Sequence, residues 1–140
     1  MKIVVIDGQG GRMGRAVIEQ LKANDPAVEL YAIGTNSIAT SAMLKAGADY
    51  GATGENPVIV NVRDADIVIG PIGIVIADAL LGEITPAMAA AVGASRAYKI
   101  LIPVNRCNHV IVGCPDVGLG DYIRLVCEEV KKEVSRRCVP

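Results

Sequence analysis

Lys2-Ile3-Val4-Val5-Ile6-Asp7-Gly8-Gln9-Gly10-Gly11-Arg12-Met13-Gly14-Arg15 decides the fold. The β-branched run from Ile3 to Ile6 stops at an acid, passes three glycines in four positions and enters a helical pattern. A strand, a Gly-rich turn and a helix in that order are how an α/β sheet builds an anion site. Glycine lets the backbone approach the anion, while the helix start offers unpaired N–H groups and the positive end of its dipole.

Outward from that stretch the pattern keeps alternating between strand and helix periodicity, which implies a largely parallel sheet covered on both faces. Met13, Val17 and Leu21 recur at a spacing of four and give the first helix one buried face, ended by Asn24-Asp25-Pro26. Residues 28–33 read as a second strand, Gly34-Thr35-Asn36-Ser37 as a turn with N-cap residues, and 38–46 as a helix stopped by Gly47. Residues 48–57 read as a loop, 58–62 as a short strand, 63–66 as a turn and 67–69 as a buried strand. Gly70-Pro71-Ile72-Gly73 reads as a second glycine turn leading into an apolar helix to about residue 81. Thr85-Pro86 starts an Ala-rich helix to about residue 96.

Residues 100–104 and 110–112 read as strands whose short connection predicts an antiparallel hairpin at the sheet edge. Residues 119–137 form the last helix, with a stripe of Ile123, Val126, Val130 and Val134. The expectation is one α/β domain over residues 1–140, a Rossmann-like three-layer sandwich with a mostly parallel sheet and that hairpin.

The chain has 140 residues, 51% of them hydrophobic, with 15 Gly and 7 Pro, which fits a packed core joined by tight turns. Net charge is −1, Phe and Trp are absent and there are 4 Tyr, so a stacking platform for nucleic acid is not expected. Strand-like sequence from Lys2 leaves no room for a secretory signal. The apolar stretch 67–82 is interrupted by Pro71 and Asp78 and falls short of the ~20 residues that span a bilayer. A cytoplasmic protein without a membrane partner is expected. Cys107, Cys114, Cys127 and Cys138 form no C-x-x-C pair and are expected as free thiols.

In the glycine loop the strict G-x-G-x-x-G spacing fails because position 13 is Met; Gly8, Gly11 and Gly14 give G-x-x-G-x-x-G instead. A nucleoside-triphosphate P-loop is excluded, since Arg15-Ala16 stands where its Lys and Ser/Thr are needed. The stretch Gly8 to Arg15 resembles the cofactor loop of dihydrodipicolinate reductases, a G-x-G-G-R-M-G-R run that opens a Rossmann domain. That resemblance implies that Gly8, Gly11 and Gly14 shape the turn, that the backbone of Gly10 to Met13 holds a pyrophosphate, and that Arg12 reaches a phosphate. It covers about the first twenty residues. The substrate domain and catalytic His/Lys motif of those reductases have no counterpart, so their reaction does not carry over.

Taken whole, the chain resembles a small bacterial family described only as a domain of unknown function. The resemblance rests on Ile6-Asp7-Gly8-Gln9-Gly10-Gly11, Gly34-Thr35-Asn36-Ser37-Ile38-Ala39-Thr40, Gly70-Pro71-Ile72-Gly73-Ile74 and Pro103-Val104-Asn105-Arg106. It implies a Rossmann-like fold and no particular activity.

In an open parallel sheet, ligands sit outside the carboxyl ends of the strands. The turns 7–12, 34–37, 70–73 and 105–109 are expected to gather there, all rich in Gly or small polar residues. The cofactor-binding candidates are therefore Asp7, Gly8, Gly10, Gly11, Arg12, Met13, Gly14, Thr35, Asn36, Ser37, Gly70, Gly73 and Asn105. NAD(P) is the expected ligand, its phosphates over Gly8 to Gly14. The acid that usually grips the adenosine ribose is missing from the end of the second strand, where Thr35, Asn36 and Ser37 lean toward a 2′-phosphate instead. Asp7 has three open roles: binding a ribose hydroxyl, capping the loop's own N–H groups, or holding a metal.

Arg106, Cys107 and His109 are the candidates for chemistry: a carboxylate or phosphate clamp, a nucleophile and a proton carrier. Cys107, His109 and Cys114 lack zinc-site spacing, and no metal is expected. Asp64 and Asp66 flank a turn and read as solvated. The smooth helix from Thr85 to Arg96 suits a subunit contact, hence a homo-oligomer. Two functions stay open: a nucleotide-binding protein, enzymatic or not, and a non-catalytic small-ligand sensor or assembly protein.

Overall fold

The structure is a computed structural model that describes residues 1–104 and 108–139. Five strands, β1 (Ile3–Asp7), β2 (Leu30–Gly34), β3 (Tyr50–Thr53), β4 (Ile67–Pro71) and β5 (Tyr98–Ile102), form one sheet in the order β3-β2-β1-β4-β5. Every pairing is parallel, with Ile3 beside Leu30 and Ile67, and Ile67 beside Tyr98. The two central strands are buried along their whole length.

Strand alternation then builds two cores. Ile3, Val5, Ile67 and Ile69 face α1 (Arg12–Asn24), α2 (Ser37–Lys45) and α5 (Leu119–Arg137). Val4, Ile6 and Val68 face α3 (Glu55–Val62) and α4 (Pro86–Ala94). The result is a Rossmann-like three-layer α/β fold.

The antiparallel edge hairpin is not present. β5 pairs in parallel with β4, and residues 110–112 form no strand. Val110 and Val112 share a parity and are 81% and 93% exposed, so the segment offers no buried face that would anchor it to the sheet.

Three other segments differ from expectation. Residues 58–62 lie in α3, where Val58 and Val62, one helical turn apart, bury against α4. Tertiary packing overrides their β-branched preference. Residues 50–53, read as loop, form the edge strand β3, whose exposed Tyr50 and Gly51 carry little apolar signal. Residues 72–81 hold one 3-10 turn, Ile72–Val75, followed by turns rather than a helix.

At the amino ends of the strands, Asp66 ties three elements together. Its Oδ2 accepts the Lys2 N–H at 2.6 Å and its Oδ1 accepts from Arg137 of α5 at 3.0 Å. Arg137 Nε also donates to the buried Glu133 at 2.8 Å. Asp66 is thus a structural clamp rather than a solvated turn residue, while Asp64 pairs with Lys2 Nζ at 2.7 Å. Among the described residues no helix is long and apolar enough to cross a membrane, and Cys114, Cys127 and Cys138 are free thiols.

Candidate functional site

Strand order reverses at β1: β2 and β3 extend to one side of it, β4 and β5 to the other. The crossover after β1 takes α1 to one face, while the chain after β4 leaves toward the opposite face. In open α/β sheets the carboxyl edge at such a reversal is the usual ligand position. The loop after β1 lies at that reversal.

The turn closes when Gly11 N donates to Gly8 O at 2.9 Å. Gly11 sits at φ 72°, and a Cβ there would come within 2.7 Å of Ala39 Cα, so α1 and α2 could not meet as they do. Gly8 and Gly14 are filled in similarly: their missing Cβ positions are taken by Thr35 and Leu80, and by Met43 and Asp7. Gly10 differs. The nearest atom to a Cβ there is Arg12 Cγ at 4.0 Å, and both residues are exposed. Met13 is half-buried against the α1-side core. The exposed part of the loop from Gly10 to Met13 is therefore Gly10 and Arg12.

Asp7 resolves among its three roles. Its Oδ1 accepts from Gly8 N at 2.8 Å and its Oδ2 from Gly14 N at 2.7 Å, so the carboxylate caps the loop from beneath. Burial pushes its pKa above the ordinary value; the N–H groups of Gly14 and Gly8 oppose this, and the nearby Glu83 charge adds to the rise.

Glu83 is a site residue that the sequence pattern did not reveal. A single oxygen, Oε1, accepts from Gln9 N at 2.9 Å, Thr35 Oγ1 at 2.7 Å and Asn36 Nδ2 at 2.7 Å. Burial alone would raise its pKa, but hydrogen bonds from Thr35, Gln9 and Asn36 together outweigh it and hold the carboxyl below its ordinary value. Asn36 also donates to Gln9 O at 2.9 Å and caps α2 through Ala39 N at 2.9 Å. The first two strand-end turns are thus stitched together by an acid from the third.

The segment that delivers Glu83 is unusual. Asp78, Leu80, Leu81 and Gly82 have φ of 65°, 57°, 57° and 89°. Leucine rarely adopts this left-handed region. The conformation turns Leu80 inward beside Gly8 and leaves Leu81 94% exposed. The only sequence signal was a lone acid between an apolar run and the Thr85-Pro86 helix start.

The remaining candidates are spread more widely. Ser37 is exposed at the start of α2 and lines a groove of about 670 Å³ with Arg15, Ser41 and Lys45. Gly70 lies inside β4, its Cβ position filled by Ile6 O and Ile74. Gly73 is buried in the 3-10 turn, its carbonyl accepting from Ile76 N at 3.0 Å. His109 is half-buried in a separate groove of about 480 Å³ beyond β5, with Cys114, Asp116 and Tyr122. Asn105, Arg106 and Cys107 lie outside the described residues. No group of three or more His, Cys, Asp or Glu among the described residues is arranged to hold a metal.

The donor set decides how an NAD(P)-type group fits. Gly10 and Arg12 are the exposed positions from Gly10 to Met13 and suit a phosphate, while the Gly11 N–H is taken up by Gly8 O and that of Met13 by Asp7. Glu83 stands beside Thr35 at the tip of β2, where ribose-binding acids stand. A 2′-phosphate fits poorly, because Thr35 and Asn36 already face a carboxylate.

No curated protein matches the chain significantly. Among solved structures, a dodecameric FMN-dependent UbiX-like decarboxylase from Escherichia coli O157:H7 is 20% identical, with a TM-score of 0.46 over 97% of this chain and 76% of that one. A family model matches residues 2–135, and the chain belongs to that family, Domain of unknown function (DUF3842).

Proposed function

We propose that the protein binds a ribonucleotide at the carboxyl edge of β1 and β2, its phosphate on the exposed backbone at Gly10 and Arg12 and its ribose on Glu83. The position of Glu83 carries this reading. All three of its hydrogen bonds fall on Oε1, which leaves Oε2 to accept from a ribose hydroxyl. Arg12, exposed beside Gly10, supplies a cation for the phosphate. The site favours NAD-type or adenylate ligands with free 2′-hydroxyls over 2′-phosphorylated ones. The polar groups at this edge recognise rather than react, since the Asp7 carboxylate is taken up by Gly8 and Gly14. That favours a ligand-sensing role.

A thermal-shift panel of NAD(H), NADP(H), AMP, ATP, CoA and flavins, with 2′-deoxy-AMP as control, tests the reading. A true ligand stabilises by about 2.7 kcal/mol at a hundredfold excess over its dissociation constant. NAD or AMP should raise Tm, 2′-deoxy-AMP and NADP should do so much less, and Glu83→Ala should erase the distinction. Gly10→Asp places an anion at the open loop position and should abolish the shift with little loss of stability. Gly11 is unsuitable for this test because its Cβ position is blocked by Ala39. No response to any nucleotide, or an undiminished response in Gly10→Asp, defeats the proposal.

A further inference from the structure

We propose that two copies of this chain dimerise about a two-fold axis through the outer face of α3 and α4, with the two α4 helices antiparallel. Helix α4, Pro86-Ala-Met-Ala-Ala-Ala-Val-Gly-Ala94, contains no charged side chain. Met88, Ala89 and Val92 bury its inner face, yet Pro86, Ala87, Ala90, Gly93 and Ala94 are exposed. A helix apolar all round is normally covered on all sides. In the neighbouring α3, Val60 is also 43% exposed.

The charges around this surface identify what covers it. α3 and α4 run side by side in the same direction: Thr85 Oγ1 donates to Glu55 Oε1 at 2.6 Å at their amino ends, and Ser95 Oγ donates to Val62 O at 2.7 Å at their carboxyl ends. The exposed acid Glu55 marks the first end, and the exposed bases Arg63 and Arg96 mark the second. The face therefore runs from acid through uncharged apolar surface to base. A second copy turned by a two-fold lays Glu55 against the partner subunit's Arg96, and symmetry repeats the pair at the other end. The same rotation opposes the helix dipoles, whereas a parallel arrangement would set like charges together. The small side chains let the helix axes approach toward the low end of the ~8–10 Å range.

Sedimentation velocity of the full chain across a concentration series tests this, with circular dichroism to check folding. The wild type should form a dimer. Ala90→Arg, which puts a good helix former with a charge in the middle of the face, should raise the dimer dissociation constant at least tenfold with an unchanged spectrum. Glu55→Arg and Arg96→Glu should each weaken the dimer, and the double reversal should restore it to within about threefold. A wild type that stays monomeric overturns the proposal, as does a dimer indifferent to Ala90→Arg. Failure of the double reversal to rescue overturns the antiparallel register.

Discussion

Asp7 and Glu83 address the same loop from opposite sides, and their environments push their titrations apart. Asp7, buried under the turn, ionises above its ordinary value mainly because burial disfavours the charge. Its contribution to stability is greatest when it is protonated and is lost as pH rises through the raised value. Glu83 behaves in the reverse sense. Although burial works against its charge, three donors hold its pKa below the ordinary 4.5, so its contribution is present above 4.5 and is lost as pH falls through the lowered value. Glu83→Gln keeps an acceptor for Gln9, Thr35 and Asn36 but removes the charge. The variant should therefore show a shallower fall in Tm than the wild type on acidification below about pH 4.5. Parallel Tm curves for the two proteins would show that the Glu83 charge does not hold the loops together.

Among the elements, those with an internal signal were legible and those shaped by neighbours were not. β1 and β4 read correctly because continuous β-branched runs are needed where both faces are buried. α3 did not, because Val58, Ile59, Val60 and Val62 carry a strand signature that only contact with α4 overrules. The 76–84 segment failed for another reason: its apolar composition matches a helix, while left-handed residues and backbone bonds such as Asp78 N to Ile84 O and Ile84 N to Ala79 O close it into turns. Most candidates at positions 7–14 and 34–37 gather as their spacing implies, since strand ends in a parallel sheet must. Glu83 arrives from 48 residues beyond Thr35, a contact that no local pattern encodes.

The left-handed stretch makes a testable demand. Leu81 is solvent-exposed at φ 57°, so Leu81→Gly loses no packing and removes a left-handed penalty of about 1–2 kcal/mol per residue, offset in part by ~0.5–1 kcal/mol of glycine entropy. Urea denaturation should find this variant as stable as the wild type or up to about 1 kcal/mol more so. Leu80→Ala, which empties a buried position beside Gly8, should lose roughly 2–4 kcal/mol. A marked loss in Leu81→Gly would mean that its side chain has a structural role despite its exposure.

At the scale of the whole molecule, the two edges of the sheet do different work. The amino edge is held by Asp66, which joins the start of β1 through Lys2 N to the end of α5 through Arg137. The carboxyl edge carries the glycine loop and Glu83. A five-residue strand separates the two edges by about 16 Å, beyond the ~8–10 Å over which charges interact strongly at physiological salt. Changes at one edge should therefore add to changes at the other without coupling. Asp66→Ala leaves the Lys2 amide without its acceptor and removes one of Arg137's partners, Glu133 and the carbonyl of residue 66 remaining. Because the ion pair is about one-third exposed, the loss should be about 2 kcal/mol rather than that of a buried pair. Hydrogen exchange at the amino ends of β1 and β4 should accelerate, while the thermal shift produced by a saturating nucleotide should keep its wild-type size. A variant that lost stability and ligand response together would show that the clamp and the glycine loop are one cooperative unit, and that the sheet transmits between its edges.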